Sequence, residues 1–153
     1  MGIAVSNHIG LVGAAVSDLP DIKSLCHHVR DKDIRVSFSS LRADALSPEL
    51  LSVLKQSRVR TATIAPEAGS ERLRRVINKG ISENDILNAA DLLVSEGIPN
   101  LKLYFMIGLP TETEEDVDRI VALASKIRGE ALRAKPGSFQ VTINVSTFVP
   151  KAH

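Results

Sequence analysis

Residues 101–117 read LKLYFMIGLPTETEEDV, which combines a strand, a turn and the start of a helix. Residues 101–107 alternate large apolar side chains with a lysine, a tyrosine and a methionine, a pattern typical of a strand with one buried face. Gly, Leu and Pro at 108–110 end this strand. Thr113 and the three acids after it begin a helix, because the helix macrodipole favours negative charge at that end. The stretch predicts one βα unit.

The same alternation of strand and helix continues on both sides of this unit. Ser47 before Pro48 predicts one helix start, and Ser82 with Asp85 predicts a capping box at another. Strands separated by helices imply a parallel sheet, since each crossover returns the chain in the same direction. The order fits either an open doubly wound sheet or a portion of a barrel. The predicted strands cover residues 9–16, 34–39, 61–65, 101–107 and 139–149.

Length and composition limit the class of protein. The 153 residues accommodate about five βα units of about 30 residues, whereas a complete eightfold barrel needs about 250. No apolar run approaches the length of about 20 residues that a membrane-spanning helix needs. The net charge of +1 and the absence of tryptophan give no indication of nucleic-acid binding. The single cysteine is typical of a reducing compartment, so we expect one cytoplasmic α/β domain.

Polar side chains occupy alternate positions of the predicted strands. A closed eightfold barrel is filled with branched apolar side chains, so this pattern favours a wider, partly open barrel with a polar concave face. Ser and Thr are also common on strands that bind nothing. Lys102 and Glu67 argue against that simpler explanation, because neither residue type is normally buried without a partner. The polar set comprises Ser39, Thr63, Glu67, Lys102, Tyr104, Asn144 and Ser146.

The carboxyl ends of the strands are the expected ligand-binding end of a parallel α/β fold. Glu67 lies at one such end, where its carboxylate can accept hydrogen bonds from a diol or an ammonium group, and Gly69 permits close backbone approach. The alternative is an ion pair between Glu67 and Arg42 or Lys102. The turn at 108–110 can place backbone against an adenine or ribose, or simply connect strand to helix.

Four phrases of the sequence resemble one enzyme superfamily. TIAPEAGSERLRRVINKG (63–80) and LKLYFMIGLPTETEEDV (101–117) resemble radical S-adenosylmethionine proteins, most of all the cobalamin-domain-associated Fe–S oxidoreductases. VSFSSLRAD (36–44) and INVSTFVPKAH (143–153) fit the same family. The resemblance implies a six-stranded partial (βα) barrel in which S-adenosylmethionine chelates a 4Fe–4S cluster and yields a 5′-deoxyadenosyl radical. It leaves open a cobalamin bound in a separate domain.

The resemblance also implies cofactor contacts at the strand ends. Glu67 and Ser70 match the E-x-G-S turn associated with the ribose or methionine portion, and Ser39 and Arg42 match the polar end of the preceding strand. Residues 106–110 match the glycine-bearing strand beside adenine, although Tyr104 and Thr111 depart from the strict motif. The implied S-adenosylmethionine contacts are Ser39, Arg42, Glu67, Ser70, Met106, Gly108, Pro110, Ser146 and Val149.

The sequence lacks the CxxxCxxC loop with which the family binds its cluster. It has only Cys26, on the apolar stripe of a predicted helix, which we expect to be a buried structural thiol. No catalytic or metal-binding residue is therefore predicted. We expect residues 1–153 to be one domain spanning family strands two to six. The first strand with its cluster loop and a C-terminal extension would be missing, and the fragment alone would be inactive.

Three further expectations concern function and partners. The alternative to an S-adenosylmethionine-binding part of a radical enzyme is a non-catalytic module that binds a nucleoside-like ligand. The substrate, small molecule or macromolecule, is not specified by the sequence. A truncated barrel has unpaired edges, which predict self-association through the first or last strand. The basic set Arg72, Arg74, Arg75 and Lys79 is expected to be a solvated helix face rather than a site for phosphate or for a partner domain.

Overall fold

The computed structural model describes residues 7–12, 21–134, 137 and 139–150. Strands and helices alternate as expected. The strands are β1 (His8–Leu11), β2 (Arg35–Phe38), β3 (Thr61–Glu67), β4 (Asn100–Ile107) and β5 (Gln140–Thr147). The helices are α1 (Ile22–Asp31), α2 (Pro48–Gln56), α3 (Glu71–Val76), α4 (Glu83–Ser95) and α5 (Glu114–Ala134), with a 3-10 turn at Ala43–Ala45. The part of the predicted first strand from residue 13 onward lies outside the described residues.

All strand pairs in the structure are parallel. β1 pairs with β2, and β3, β4 and β5 form a second sheet in that order. A bridge between Leu41 and Ile64 joins the sheets, with the Leu41 amide donating to the carbonyl of Thr63 at 2.8 Å. The strands therefore follow one another in chain order, without the reversal of a doubly wound sheet. The predicted α/β class is confirmed, and the arrangement agrees with a partial (βα) barrel.

The apolar core lies against one face of the sheet. Ile64, Leu101, Leu103 and Phe105 are almost completely buried there, in one apolar cluster with residues of α1, α2, α4 and α5. The alternate positions of β4 are different, since Lys102 and the residues that share its face are half-buried or exposed. The predicted alternation of an apolar and a polar strand face is therefore present in β4.

Serine side chains begin three of the helices. The Ser47 hydroxyl accepts from the Leu50 amide at 3.3 Å, and Ser82 forms the predicted reciprocal capping box with Asp85. Ser70 caps α3 in the same way. Each such cap stabilises a helix by about 1 kcal/mol. They also fix where each helix begins, and Ser70 places the start of α3 close to the carboxyl end of β3.

A bulge at the end of β3 interrupts the register. Ile64 pairs with Leu103, but Glu67 pairs with Phe105, so β3 has one residue more than β4 between these pairs. Phe105 belongs to the apolar face. Burial in β3 nevertheless alternates up to its last residue, with Ile64 and Pro66 buried and Thr63, Ala65 and Glu67 half-buried. The predicted continuation of the polar phase from Thr63 to Glu67 agrees with this alternation.

Within the described residues, no helix is long and apolar enough to cross a membrane.

Candidate functional site

The turn between β3 and α3 is pressed against the first turns of α5. A Cβ atom on Gly69 would lie 2.6 Å from the backbone nitrogen of Ile120 and in overlap with the carbonyl oxygen of Asp116. Both neighbours are helix backbone and cannot rotate away. The sequence predicts that Gly69 permits close approach, and the structure shows that α5 is what approaches it.

Asp116 joins this turn to α5. Its carboxylate accepts hydrogen bonds from the Ser70 hydroxyl, the Arg72 guanidinium, and the Thr113 amide and hydroxyl, the last two at 2.9 Å. Only 4% of Asp116 is exposed. Burial opposes the charged form, but the hydrogen bonds from Arg72, Ser70 and Thr113 prevail and hold the pKa of Asp116 far below its usual range. Asp116 is therefore an ionised, fully engaged group at physiological pH.

Sequence reasoning missed this role, since it treated Asp116 only as one of three acids favoured by the helix dipole. A usable signal was present. Thr113 and Asp116 have capping-box spacing, and the Asp116 amide donates back to the Thr113 hydroxyl at 3.3 Å. The contacts from Ser70 and Arg72 come from 46 and 44 residues away and leave no local trace in the sequence.

Ser70 has little hydrogen-bonding capacity left. Its hydroxyl accepts from the Leu73 amide at 3.0 Å and donates its proton to Asp116. A hydroxyl has one proton and two lone pairs, so a ligand at Ser70 could use only the remaining lone pair.

Glu67 pairs with Lys79, not with Arg42 or Lys102. The Lys79 Nζ lies 3.1 Å from Oε1 of Glu67, and both side chains are about three-quarters buried, at 23% and 27% exposed. The two predicted partners are wrong because Lys79 follows α3, which returns the chain to the end of β3. Oε2 of Glu67 has no hydrogen-bond partner among the described residues, so it remains available to a ligand.

Left-handed backbone marks the ends of β3 and β4. Glu67 has a φ of 71° and Thr111 a φ of 66°. The other described non-glycine residues with positive φ, at 33, 58 and 78, each follow the end of a helix, where this conformation is a common cap. Glu67 and Thr111 have no such explanation. Strained conformations of this kind cost about 1–3 kcal/mol and concentrate at functional sites.

The turn after β4 is closed by its own side chains. The Gly108 amide, at a φ of 83°, donates to the Glu112 carboxylate at 2.5 Å. Arg72 donates to the carbonyl of Thr111 at 2.8 Å, linking this turn to α3. Met106 packs against a small apolar cluster that includes Leu73, and Pro110 is exposed. Glu112 was not anticipated from the sequence.

Arg74 is fully buried, which corrects the prediction of a solvated basic face. Its guanidinium donates to the carbonyl oxygens of Ala68 and Gly69 at 3.0 Å and of Ile81 at 2.8 Å. Nη2 has no partner among the described residues. Burial lowers the pKa of Arg74, opposed by the carboxylates at 71, 83 and 85. Arg74 thus donates hydrogen bonds to backbone carbonyls inside the E-x-G-S turn, residues 67–70.

The remaining predicted contact residues lie at the ends of β2 and β5. Arg42 pairs with Asp44, with nitrogen–oxygen distances of 2.9 and 2.6 Å, and the Ser39 amide donates to the β1 carbonyl of Leu11. Ser146 lies beside Met106 in the strand register. Val149 is exposed. The nine residues are thus distributed along the carboxyl ends of β2 to β5, and whether each contacts a cofactor stays a prediction.

The described residues do not fit the ligand set of an iron–sulfur cluster. They contain no group of three His, Cys, Asp or Glu side chains placed to hold a metal ion. Cys26 is buried on α1, as predicted, and burial together with the Glu49 carboxylate raises the pKa of its thiol. A thiol that resists deprotonation inside a core is a poor metal ligand.

Parallel strands in chain order, helices on one face and polar turns at the carboxyl ends define an α/β protein of the partial-barrel kind. A model of the radical SAM superfamily matches residues 3–124. The chain belongs to this superfamily, whose members use S-adenosylmethionine and a 4Fe–4S cluster.

One relative extends far beyond the matched segment. A protein of Methanocaldococcus jannaschii, described by its name as uncharacterized, is 44% identical over 147 residues. The alignment covers 96% of this chain and 31% of the relative. The chain therefore spans less than a third of the length of that relative.

Proposed function

We propose that this chain is the S-adenosylmethionine-binding part of a radical Fe–S oxidoreductase, with the cluster ligands supplied by polypeptide outside these 153 residues. The observation that supports the proposal most is the strained Glu67 at the end of β3, whose Oε2 is free while Lys79 holds Oε1. Superfamily membership implies that the cofactor is S-adenosylmethionine. S-adenosylmethionine contributes the 5′-deoxyadenosyl group for hydrogen abstraction.

The chain's own residues would bind and orient this cofactor. Glu67 Oε2 would accept from the ribose hydroxyls or the methionine ammonium, and Lys79 would align the carboxylate through its ion pair with Oε1. Ser70 offers a single acceptor lone pair. Met106 and the backbone of residues 146–149 would border the adenine. No step through the cluster is assigned to this chain, because its described residues do not fit one.

The test is binding of S-adenosylmethionine to the longest natural gene product that contains these residues, with iron and sulfide reconstituted anaerobically. Glu67→Gln keeps the size of the side chain but removes its charge. We expect it to raise the dissociation constant by about tenfold or more, because hydrogen bonds to charged groups contribute about 1.5–3 kcal/mol. Glu115→Gln, at an exposed carboxylate of α5 paired with Arg119, is the matched control and should bind normally.

Equal affinity of the two variants would remove Glu67 from the site. The alternative function, a non-catalytic module for a nucleoside-like ligand, is favoured by the single cysteine of the chain. In that case adenosine should bind as tightly as S-adenosylmethionine, and iron should make no difference.

A further inference from the structure

The face of the β3–β5 sheet that is turned away from the helices has a distinct chemistry. Thr63, Lys102 and Thr142 lie side by side in the register of the three strands. Tyr104 and Asn144 form the next row toward the carboxyl ends. Residues paired in a parallel register share a face, so these five side chains form one polar surface.

Lys102 makes no ion pair and no hydrogen bond within the described residues, and it is exposed. Tyr104 and Asn144 have no hydrogen-bond partner there either. The contrast with the helical side of the molecule is clear, since Lys55 and Lys126 pair with carboxylates at 3.1 and 2.8 Å. An ammonium group and two neutral hydrogen-bonding groups are thus left uncommitted on this surface.

The nearest carboxylate on this face of the described strands is Glu67, at the carboxyl end of β3. Glu67 lies four positions beyond Thr63, the strand neighbour of Lys102, which is about 13 Å along a strand, and its Oε1 is paired with Lys79. The ammonium of Lys102 would therefore attract an anion without competition from an adjacent side chain. The positions of β3, β4 and β5 that share the face are Thr61, Thr63, Ala65, Glu67, Asn100, Lys102, Tyr104, Met106, Gln140, Thr142, Asn144 and Ser146.

We propose that Lys102, assisted by Asn144 and Tyr104, binds a carboxylate or phosphate group of the substrate. This inference rests on the proposed function, because only a radical enzyme would have a substrate here. The choice of an anionic group rests on charge complementarity with Lys102. Lys102 precedes Ile107, the last residue of β4, by five positions, which corresponds to about 16 Å along a strand. A molecule that reacts near the strand ends and reaches Lys102 is therefore elongated, with its anionic group away from the reacting carbon.

The experiment titrates this chain with inorganic phosphate at constant ionic strength and follows backbone amide resonances. We expect saturable shifts at residues 101–105 and 141–145. Lys102→Gln should weaken the apparent affinity about fivefold or more, since one charge-assisted hydrogen bond is lost. Lys102→Arg should retain it. The matched control Lys55→Gln, on the helical side, should bind phosphate like the wild type.

Two results would overturn the proposal. One is an absence of saturable shifts on these strands, and the other is unchanged phosphate affinity in a folded Lys102→Gln protein. A second titration separates substrate from cofactor, because S-adenosylmethionine also carries a carboxylate. If Lys102→Gln weakens S-adenosylmethionine but not methylthioadenosine, which lacks that carboxylate, Lys102 serves the cofactor and the substrate assignment is wrong. Phosphate binding needs no cofactor. If only the proposed function is wrong, S-adenosylmethionine will not bind while phosphate still does.

Discussion

At the scale of single residues, Asp116 shows how one buried charge organises the ligand end of the fold. Its four hydrogen bonds join the cap of α3, the turn after β4 and the start of α5. The carboxylate does so only while it is ionised. Because its pKa in the folded protein is lowered, its contribution to stability is present above the ordinary carboxyl pKa of about 4 and falls as the pH drops below that value.

Asp116→Asn tests this account. We expect a loss of about 2 kcal/mol of unfolding free energy at pH 7, because the hydrogen bonds from Arg72 and Ser70 lose their charged acceptor. The difference from the wild type should shrink in urea unfolding at pH 3. Glu115→Gln, at the exposed neighbour, should change stability by about 0.5 kcal/mol or less. A substitution at Asp116 that is equally neutral would contradict the account.

At the scale of elements, most of the fold could be predicted because its signals are local. Strand alternation, the serine caps at 47, 70 and 82, and the buried Cys26 depend on residues a few positions apart. The Glu67–Lys79 pair, the bulge in β3 and the burial of Arg74 could not be predicted, because they depend on how α3 folds back onto the strand end. The location of the candidate site therefore stays a prediction, whereas the predicted partners of Glu67 and the predicted exposure of Arg74 are corrected.

The packing of the β3–α3 turn on α5 gives a prediction at this scale. Gly69→Ala should destabilise the protein by about 1–3 kcal/mol, since its methyl group would overlap the backbone of Ile120 and Asp116. Gly129→Ala is the control of opposite sign. It lies within α5, where an added methyl group meets only Arg133 at 3.9 Å, so it should stabilise the helix by about 0.5–1 kcal/mol. Thermal unfolding of both variants measures this, and a stable Gly69→Ala protein would contradict the packing.

At the scale of the whole molecule, β5 is an open edge of the described sheet. Its eight residues contain no charge, so they lack the usual protection against edge-to-edge pairing. Val121 is 63% and Val145 50% exposed. Lys126 of α5 pairs with α4, and at 3.6 residues per turn Val121 lies about 140° around the helix from it. Val121 thus faces away from the side of α5 that meets α4, and Val145 lies on the edge strand itself.

Self-association through this edge is accordingly expected for the isolated chain. Sedimentation velocity should show a concentration-dependent dimer, and Val121→Glu combined with Val145→Lys should reduce it by placing charges beside the edge. Leu92→Glu, at another exposed apolar residue but on α4, should leave the dimer intact. A wild-type chain that stays monomeric at high concentration would contradict the expectation.

The central claim is that these residues hold S-adenosylmethionine for radical chemistry, and release of 5′-deoxyadenosine measures it most directly. The longest natural gene product containing the chain is reconstituted anaerobically with iron and sulfide, reduced, and supplied with S-adenosylmethionine. The account predicts a brown protein that releases 5′-deoxyadenosine, with strongly reduced release in Glu67→Gln and normal release in Glu115→Gln. A colourless protein that leaves S-adenosylmethionine intact would contradict it.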